Sequence, residues 1–293
     1  METQAIFGPA GNGDTFSQHH RSSVEAPGWL RGLGLGLLEY QCGRGIHIGE
    51  QTARQIGEKA REHEIRLSVH APYFINLSSG EEERRQKNIG YVIASCQVAQ
   101  WMGADRIVVH CGGLSGQTRQ QAMEHTLQNL EAILEQVEAQ GFAGITLCIE
   151  TMGRQNVMGT LEEVIAICQW DRRLLPCIDF GHLNAREQGS LRCTADYERL
   201  LSYGLEKLGM ERMRHFHAHF SHIEYNKGGE ARHLTFAENQ YGPFFEQCAP
   251  ALVKLGLCPR VVCESAGTQA EDAQAMQQIY HRALCEAGNG KVE

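Results

Sequence analysis

Five short segments carry six side chains able to bind a metal ion: His70 in RLSVHAP, His110 in IVVHCGG, Glu150 in LCIET, Asp179 and His182 in CIDFGH, and Glu264 in VVCES. Each follows an apolar, β-branched-rich run, so each falls where a short buried strand would end. A single such residue reads as a hydrogen-bonded polar group at a strand end. Six of them read as a ligand set. Imidazole mixed with carboxylate suits zinc, with manganese or iron as alternatives, and this many ligands imply two or three ions. A carboxylate such as Glu150 can bridge two cations, the arrangement of two-metal hydrolases, in which one ion activates water and the other steadies the leaving oxygen. In HFHAHFSH the period of two puts His215, His217 and His219 on one face, with His222 beyond them. One of them should be a ligand; His217 is taken as that one, and His219 stays open as the alternative. His233, in EARHL, lies in a long polar connection and could close over the site.

Residues so far apart meet only if strand ends converge. Short apolar runs alternate with longer amphipathic stretches, the pattern of repeated βα units and a parallel sheet. Strands are expected at 4–7, 35–41, 66–70, 106–110, 146–150, 174–179, 213–219 and 260–264. Helices are expected near 50–64, 81–102, 119–140, 160–170, 196–208, 242–255 and 271–287, while the connection 15–32 stays open. Gly103, Gly141, Gly209 and Gly256 fall where helix C-caps are needed. Eight such units make an α/β fold, a (β/α)8 TIM barrel, as a single domain over 1–293. Its strand C-termini form one rim, where active sites of this architecture lie. The connection 220–241 is the one long polar loop, a length that is commonly functional.

The chain of 293 residues is 42% hydrophobic, enough for a sizeable core. Its net charge is −8, from 35 acidic and 27 basic residues, so the whole molecule does not attract nucleic acid. Any role on DNA must rest on a local basic surface or on bound metal, which inverts the local field. Eleven cysteines, odd in number and without a C-x-x-C pair, exclude a disulfide framework and a zinc ribbon and read as reduced cytosolic thiols. METQAIFGPAGNGDTF has no basic segment followed by an apolar core, and no window approaches a membrane span. The expectation is a soluble, cytoplasmic monomer.

Seven stretches, GPAGN, HAPYFINL, VVHCGG, IETMGR, CIDFGHLNAR, HFSHIEYNKGGEARHL and CES, occur in an order and spacing that resemble the endonuclease IV family. This is apurinic/apyrimidinic endonuclease family 2, with a xylose isomerase-like TIM barrel, and the likeness is to its archaeal-type branch. The resemblance implies a zinc-dependent deoxyribonuclease of base excision repair, cleaving DNA on the 5′ side of abasic sites. By motif, His70 and His110 would hold one ion with Glu150 bridging, and Glu150 would be the catalytic carboxylate. Asp179, His217 and Glu264 would complete the second ion, and His182 and His233 would hold the third. The family also supplies an aspartate two positions before that last histidine; here the position is Ala231. This departure is expected to weaken the third site unless adjacent Glu230, or His219, fills in. Tyr73 and Phe74 stand where the family inserts side chains into DNA, and Arg44 lies in a loop that approaches it. Arg154, Arg186, Lys227 and Arg232 are the cations available for a basic rim.

Two other functions compete. In a sugar isomerase or epimerase, one metal held by Glu150, Asp179, His217 and Glu264 would polarise a ketose while carboxylates move a proton. That chemistry gives His70, His110, His182 and His233 no task, which favours the hydrolase. The other is a metal-bearing or nucleic-acid-binding barrel without turnover, because function resides in the site and not in the scaffold.

Overall fold

The computed structural model describes residues 3–289. Eight parallel strands form the barrel: β1 (Ile6–Pro9), β2 (Leu37–Gln41), β3 (Arg66–His70), β4 (Arg106–His110), β5 (Thr146–Glu150), β6 (Leu174–Asp179), β7 (His217–Phe220) and β10 (Arg260–Cys263). Hydrogen-bonded neighbours run β1-β10-β7-β6-β5-β4-β3-β2. The ring closes between its ends through a bridge from Ala10 to Glu39 and bonds from Gly11 N to Glu39 O (2.8 Å) and Gly36 N to Phe7 O (3.1 Å). The strands are buried on both faces, which is why they read as near-continuous apolar runs.

Alternate residues face outward into the large shell of packed helices, for example Phe7, Val69, Ile107, Leu147 and Ile149. The others face the barrel axis, where Ala10, Leu37 and Val262, and Val108, Cys148 and Cys177, form two small clusters separate from that shell. The helices Arg119–Ala139 and Leu161–Trp170 start at reciprocal caps, Thr118 with Gln121 and Thr160 with Glu163. All eleven cysteines are free thiols, and among the described residues no helix is long and apolar enough to cross a membrane.

The structure differs from the sequence expectation at four places. The first strand lies at Ile6–Pro9 rather than 4–7. Where the seventh strand was expected to begin, Met210–Met213 is a short helix that tucks Met213 into the core, and β7 starts only at His217. The 220–241 connection is largely an antiparallel hairpin, β8 (His222–Asn226) with β9 (Gly229–Leu234). Directly after β6, residues Phe180–Arg186 form an unforeseen helix, capped by the Asp179 carboxylate accepting from His182 N at 2.7 Å. The open connection 15–32 resolves into helices Asp14–His19 and Ala26–Gly32 joined by a single 3₁₀ turn.

Candidate metal centre

Glu150 ends β5 with its carboxylate buried at the middle of the rim. His70 Nε2 lies 3.1 Å and His110 Nε2 3.0 Å from its Oε2. On the far side of each ring a backbone carbonyl takes the other nitrogen: Ala71 O is 2.7 Å from His70 Nδ1, and Tyr73 O is 3.1 Å from His110 Nδ1. A carbonyl can only accept, so Nδ1 carries the hydrogen and Nε2 is left to bind a cation.

The other carboxylate oxygen, Oε1, faces a second group. His219 Nδ1 is 3.3 Å from it, 3.5 Å from Glu264 Oε1 and 4.0 Å from Asp179 Oδ2. Asp179 Oδ2 is buried and has no hydrogen-bond partner among the described residues, an orphan that a cation would satisfy. The strand-seven histidine that the structure places in this group is His219 rather than His217, which stands with Cys177 and His219 in a separate cluster. Both face the axis, but His217 is level with Cys177 and Arg260, whereas His219 is level with Asp179, one layer nearer the rim. His217 instead gives its Nε2 to Glu39 Oε2 at 2.9 Å. His215 precedes the strand, with its Nδ1 3.1 Å from Cys258 O, and His222 stacks on Phe236 at 4.7 Å.

A third group joins the helix after β6 to the hairpin. His182 donates Nδ1 to Thr151 O at 2.9 Å and turns Nε2 toward Glu230 Oε2, 3.5 Å away. His233 sits beside them, its ring 5.6 Å from that of His182 and its Nδ1 2.9 Å from Ser221 Oγ. Glu230, and not position 231, completes this trio. The reason is a β-bulge: Tyr225 pairs with Glu230 and Glu224 with Arg232, so Ala231 is the extra residue and points outward. The bulge puts Glu230 and His233, three apart, on the side facing His182. Gly153 leaves room for them, since a Cβ there would come within 2.7 Å of Glu230 Cβ and 3.0 Å of His182 Cδ2. Gly229, at φ +95, lets the hairpin lie against the Gly153 carbonyl.

Without cations the histidines and carboxylates compensate one another. Burial pushes His70 down, but its hydrogen bond to Glu150 and the charges of Glu150 and Glu39 outweigh that and raise it to about 9. His182 and His219 also lie well above the ordinary histidine value: burial opposes protonation, and neighbouring carboxylates, Asp179 and Glu150 for His182 and Glu264, Glu39 and Glu150 for His219, overcome it. Glu150 is held well below the carboxylate range because His110 and His219 outweigh its burial, while burial lifts Glu264. His217 is lowered by burial to about 4, so it is neutral.

A divalent cation would therefore have to displace protons to enter. Calorimetry at pH 7 in buffers of different ionisation enthalpy should show net proton release, with apparent affinity rising as pH climbs from neutrality toward about 9. Zinc uptake at pH 7 with no proton release would contradict this. In the zinc-free chain the sign is opposite. His70, raised above its unfolded value, adds stability that is complete below about pH 6.5 and lost as pH rises through about 9.

Apart from Asp179 and His219, which are wholly buried, these groups line a cavity of about 520 Å³, bordered also by Tyr73, Phe74, Asn76, Met152, Arg154 and Val157. Tyr73 and Phe74 are 54% and 41% exposed, packed edge to face, with Phe74 against Tyr91 at 5.0 Å. Arg44 is exposed on the loop after β2 and does not line the cavity. Arg186 is not a rim cation, since its guanidinium holds the loop after β5 through Met152 O (3.1 Å), Arg154 O (2.6 Å) and Val157 O (3.2 Å). Arg232 is paired with Glu224 at 2.7 Å, and Arg154 and Lys227 are exposed.

Sequence reasoning missed Glu39, wholly buried in the barrel below the ligands. Its signal was a charged residue inside the apolar run LLEYQ, at a position that faces the axis.

A family model described as xylose isomerase-like TIM barrel matches residues 28–282. An uncharacterized protein of Methanocaldococcus jannaschii is 31% identical over 280 residues, covering 96% of this chain and 98% of that one. A probable endonuclease 4 of a Sulfurihydrogenibium species is 32% identical over 145 residues, 48% of this chain and 51% of the relative, so this likeness spans about half of each. Among solved structures, L-ribulose 3-epimerase superposes with a TM-score of 0.69 at 14% identity, covering 98% of this chain and 97% of the other, a likeness of fold alone.

Proposed function

The chain belongs to the xylose isomerase-like TIM barrel family, and from that membership we propose that it is a metal-dependent phosphodiesterase of the endonuclease IV type, cleaving DNA 5′ to abasic sites. One observation carries the reading: three groups of candidate ligands stand around or directly beneath one cavity, two of them sharing Glu150 and the third built separately from His182, Glu230 and His233. The donors fit divalent zinc, with manganese or iron as alternatives, because they mix imidazole with carboxylate and four of the five ring histidines have one nitrogen fixed on a neutral acceptor. Bound there, such ions supply Lewis acidity and positive charge opposite a scissile phosphate.

The rest falls to the chain itself. His70, His110 and Glu150 would hold one ion; Glu150, Asp179, His219 and Glu264 the next; and His182, Glu230 and His233 the last. Tyr73 and Phe74 offer exposed ring faces on which a base beside an extruded nucleotide can stack, a sequence-tolerant contact worth about 1–3 kcal/mol per base. Arg154 stands at the cavity edge, where a backbone phosphate would pass. A cavity of about 520 Å³ suits one extruded sugar-phosphate and not a duplex. The cytoplasm, where DNA is reached and thiols stay reduced, is the setting this reading implies.

The second reading, a one-metal sugar epimerase, is favoured by the completeness of Glu150, Asp179, His219 and Glu264 as a set on their own. Elemental analysis of protein purified without chelator, run beside nicking of an oligonucleotide with one abasic site, separates the two. At least two ions per chain with nicking is the expected result. One ion with ketose turnover would replace this reading by the epimerase, ions without either activity would make the barrel non-catalytic, and less than one ion per chain would end the metal reading altogether.

A further inference from the structure

Glu39 lies directly beneath the ligands and is wholly buried, in a barrel whose neighbouring axial positions, Leu37, Val108, Cys148 and Val262, are apolar. Burying a carboxylate is costly unless it is well bonded. This one accepts from Ser68 Oγ at 2.9 Å, Gln41 Nε2 at 3.0 Å and His217 Nε2 at 2.9 Å. Its Oε1 also lies 3.0 Å from Nε2 of His219, so that Glu39 pairs with this nitrogen across the barrel. The opposite nitrogen of that ring, Nδ1, faces Glu150, Glu264 and Asp179.

The other histidines at the rim take their support from neutral acceptors: Ala71 O, Tyr73 O, Thr151 O and the Ser221 hydroxyl. Three of those are backbone carbonyls close to the ring in sequence or on the next strand end. His219 has no such option. Its ring crosses the barrel from β7 toward β2, and near the axis only side chains are available.

We propose that Glu39 is the positioning residue of the candidate metal centre, fixing hydrogen on His219 Nε2 and so presenting Nδ1 to the ion shared by Glu150, Asp179, His219 and Glu264. His217, Ser68 and Gln41 hold Glu39 in place, which explains why strand seven carries a second inward histidine that binds no rim carboxylate. A carboxylate behind a ligand imidazole aligns the ring and makes it a stronger donor, and loss of such a partner typically lowers metal affinity by about 10–100-fold.

The inference rests on the reading that this rim binds metal, and wild-type ion content tests that reading separately. Wild-type protein and Glu39→Gln are loaded with cobalt(II), their visible spectra recorded, and their ions removed by graded chelator. Glu39→Gln should release one ion at roughly ten- to hundred-fold lower chelator strength, with an altered cobalt spectrum, while the remaining ions stay as in wild type. Wild-type retention of every ion would overturn the proposal, as would parallel loosening of all ions together with a lowered melting temperature. If Glu39→Gln does not fold, Glu39→Asp decides. It keeps the charge but is one methylene too short to reach His219, so selective loss of the same ion upholds the proposal and unchanged retention overturns it.

Discussion

Glu150→Gln should lower abasic-site cleavage by roughly a thousandfold or more and strip the chain of at least one ion. The expectation follows from where the two carboxylate oxygens point. Oε2 meets Nε2 of His70 and of His110, and Oε1 meets His219 Nδ1 and lies 3.3 Å from His182 Nδ1. One side chain thus joins the first two ligand groups and touches the third. Glutamine keeps the volume, so the buried packing around it should survive. It replaces one oxygen with an amide nitrogen that donates, turned toward imidazole nitrogens that must be free to bind a cation. A thousandfold loss corresponds to about 4 kcal/mol of transition-state stabilisation, within reach when a charged group shared by two cations is removed. Single-turnover nicking measured beside ion content checks both halves, and near-wild-type cleavage with full ion content would exclude the bridging role.

Much of the barrel was legible because its middle strands advertise themselves. The runs at 66–70, 106–110, 146–150 and 174–179 are apolar and β-branched, each closes on a histidine or a carboxylate, and β3, β4, β5 and β6 occupy those same residues. What parity of side chains reveals is the face, not the depth. His217 and His219 share a face, and only the register against Cys177 and Asp179 shows which one reaches the rim. Glu39 was hidden for a related reason: its partners His217 and Ser68 come from strands distant in sequence, so nothing local marks a charge in an apolar run as a well-bonded one. The seventh strand was drawn too early because MERMRHF reads as a strand approach, while Gly209, at φ +78, ends one helix and begins another short one.

The hairpin was the least legible part, and its geometry favours one of the alternatives left open for the third ligand group. Ala231 was expected to weaken that group unless adjacent Glu230, or His219, filled in. In the structure the bulge turns Ala231 outward and brings Glu230 to 3.5 Å from His182 Nε2, with His233 alongside. Two imidazoles alone fall below the three protein ligands usual for catalytic zinc, and Glu230 would supply the third. Glu230→Ala is therefore expected to release one ion at tenfold or lower chelator strength than the others need, with cleavage falling in step, in line with roughly 10–100-fold effects seen even for residues behind the ligands. Ala231→Asp should change neither retention nor rate, because its carboxylate would project into solvent. The double variant is the sharpest comparison. With the bulge in place, aspartate at 231 cannot replace the lost Glu230, and the ion should stay weak. A one-residue slip of β9 would exchange the two faces of the strand, and only then would the double variant regain the ion. Restored binding and cleavage in the double variant would mean that the hairpin holds its ligands in the other register, with position 231 facing His182.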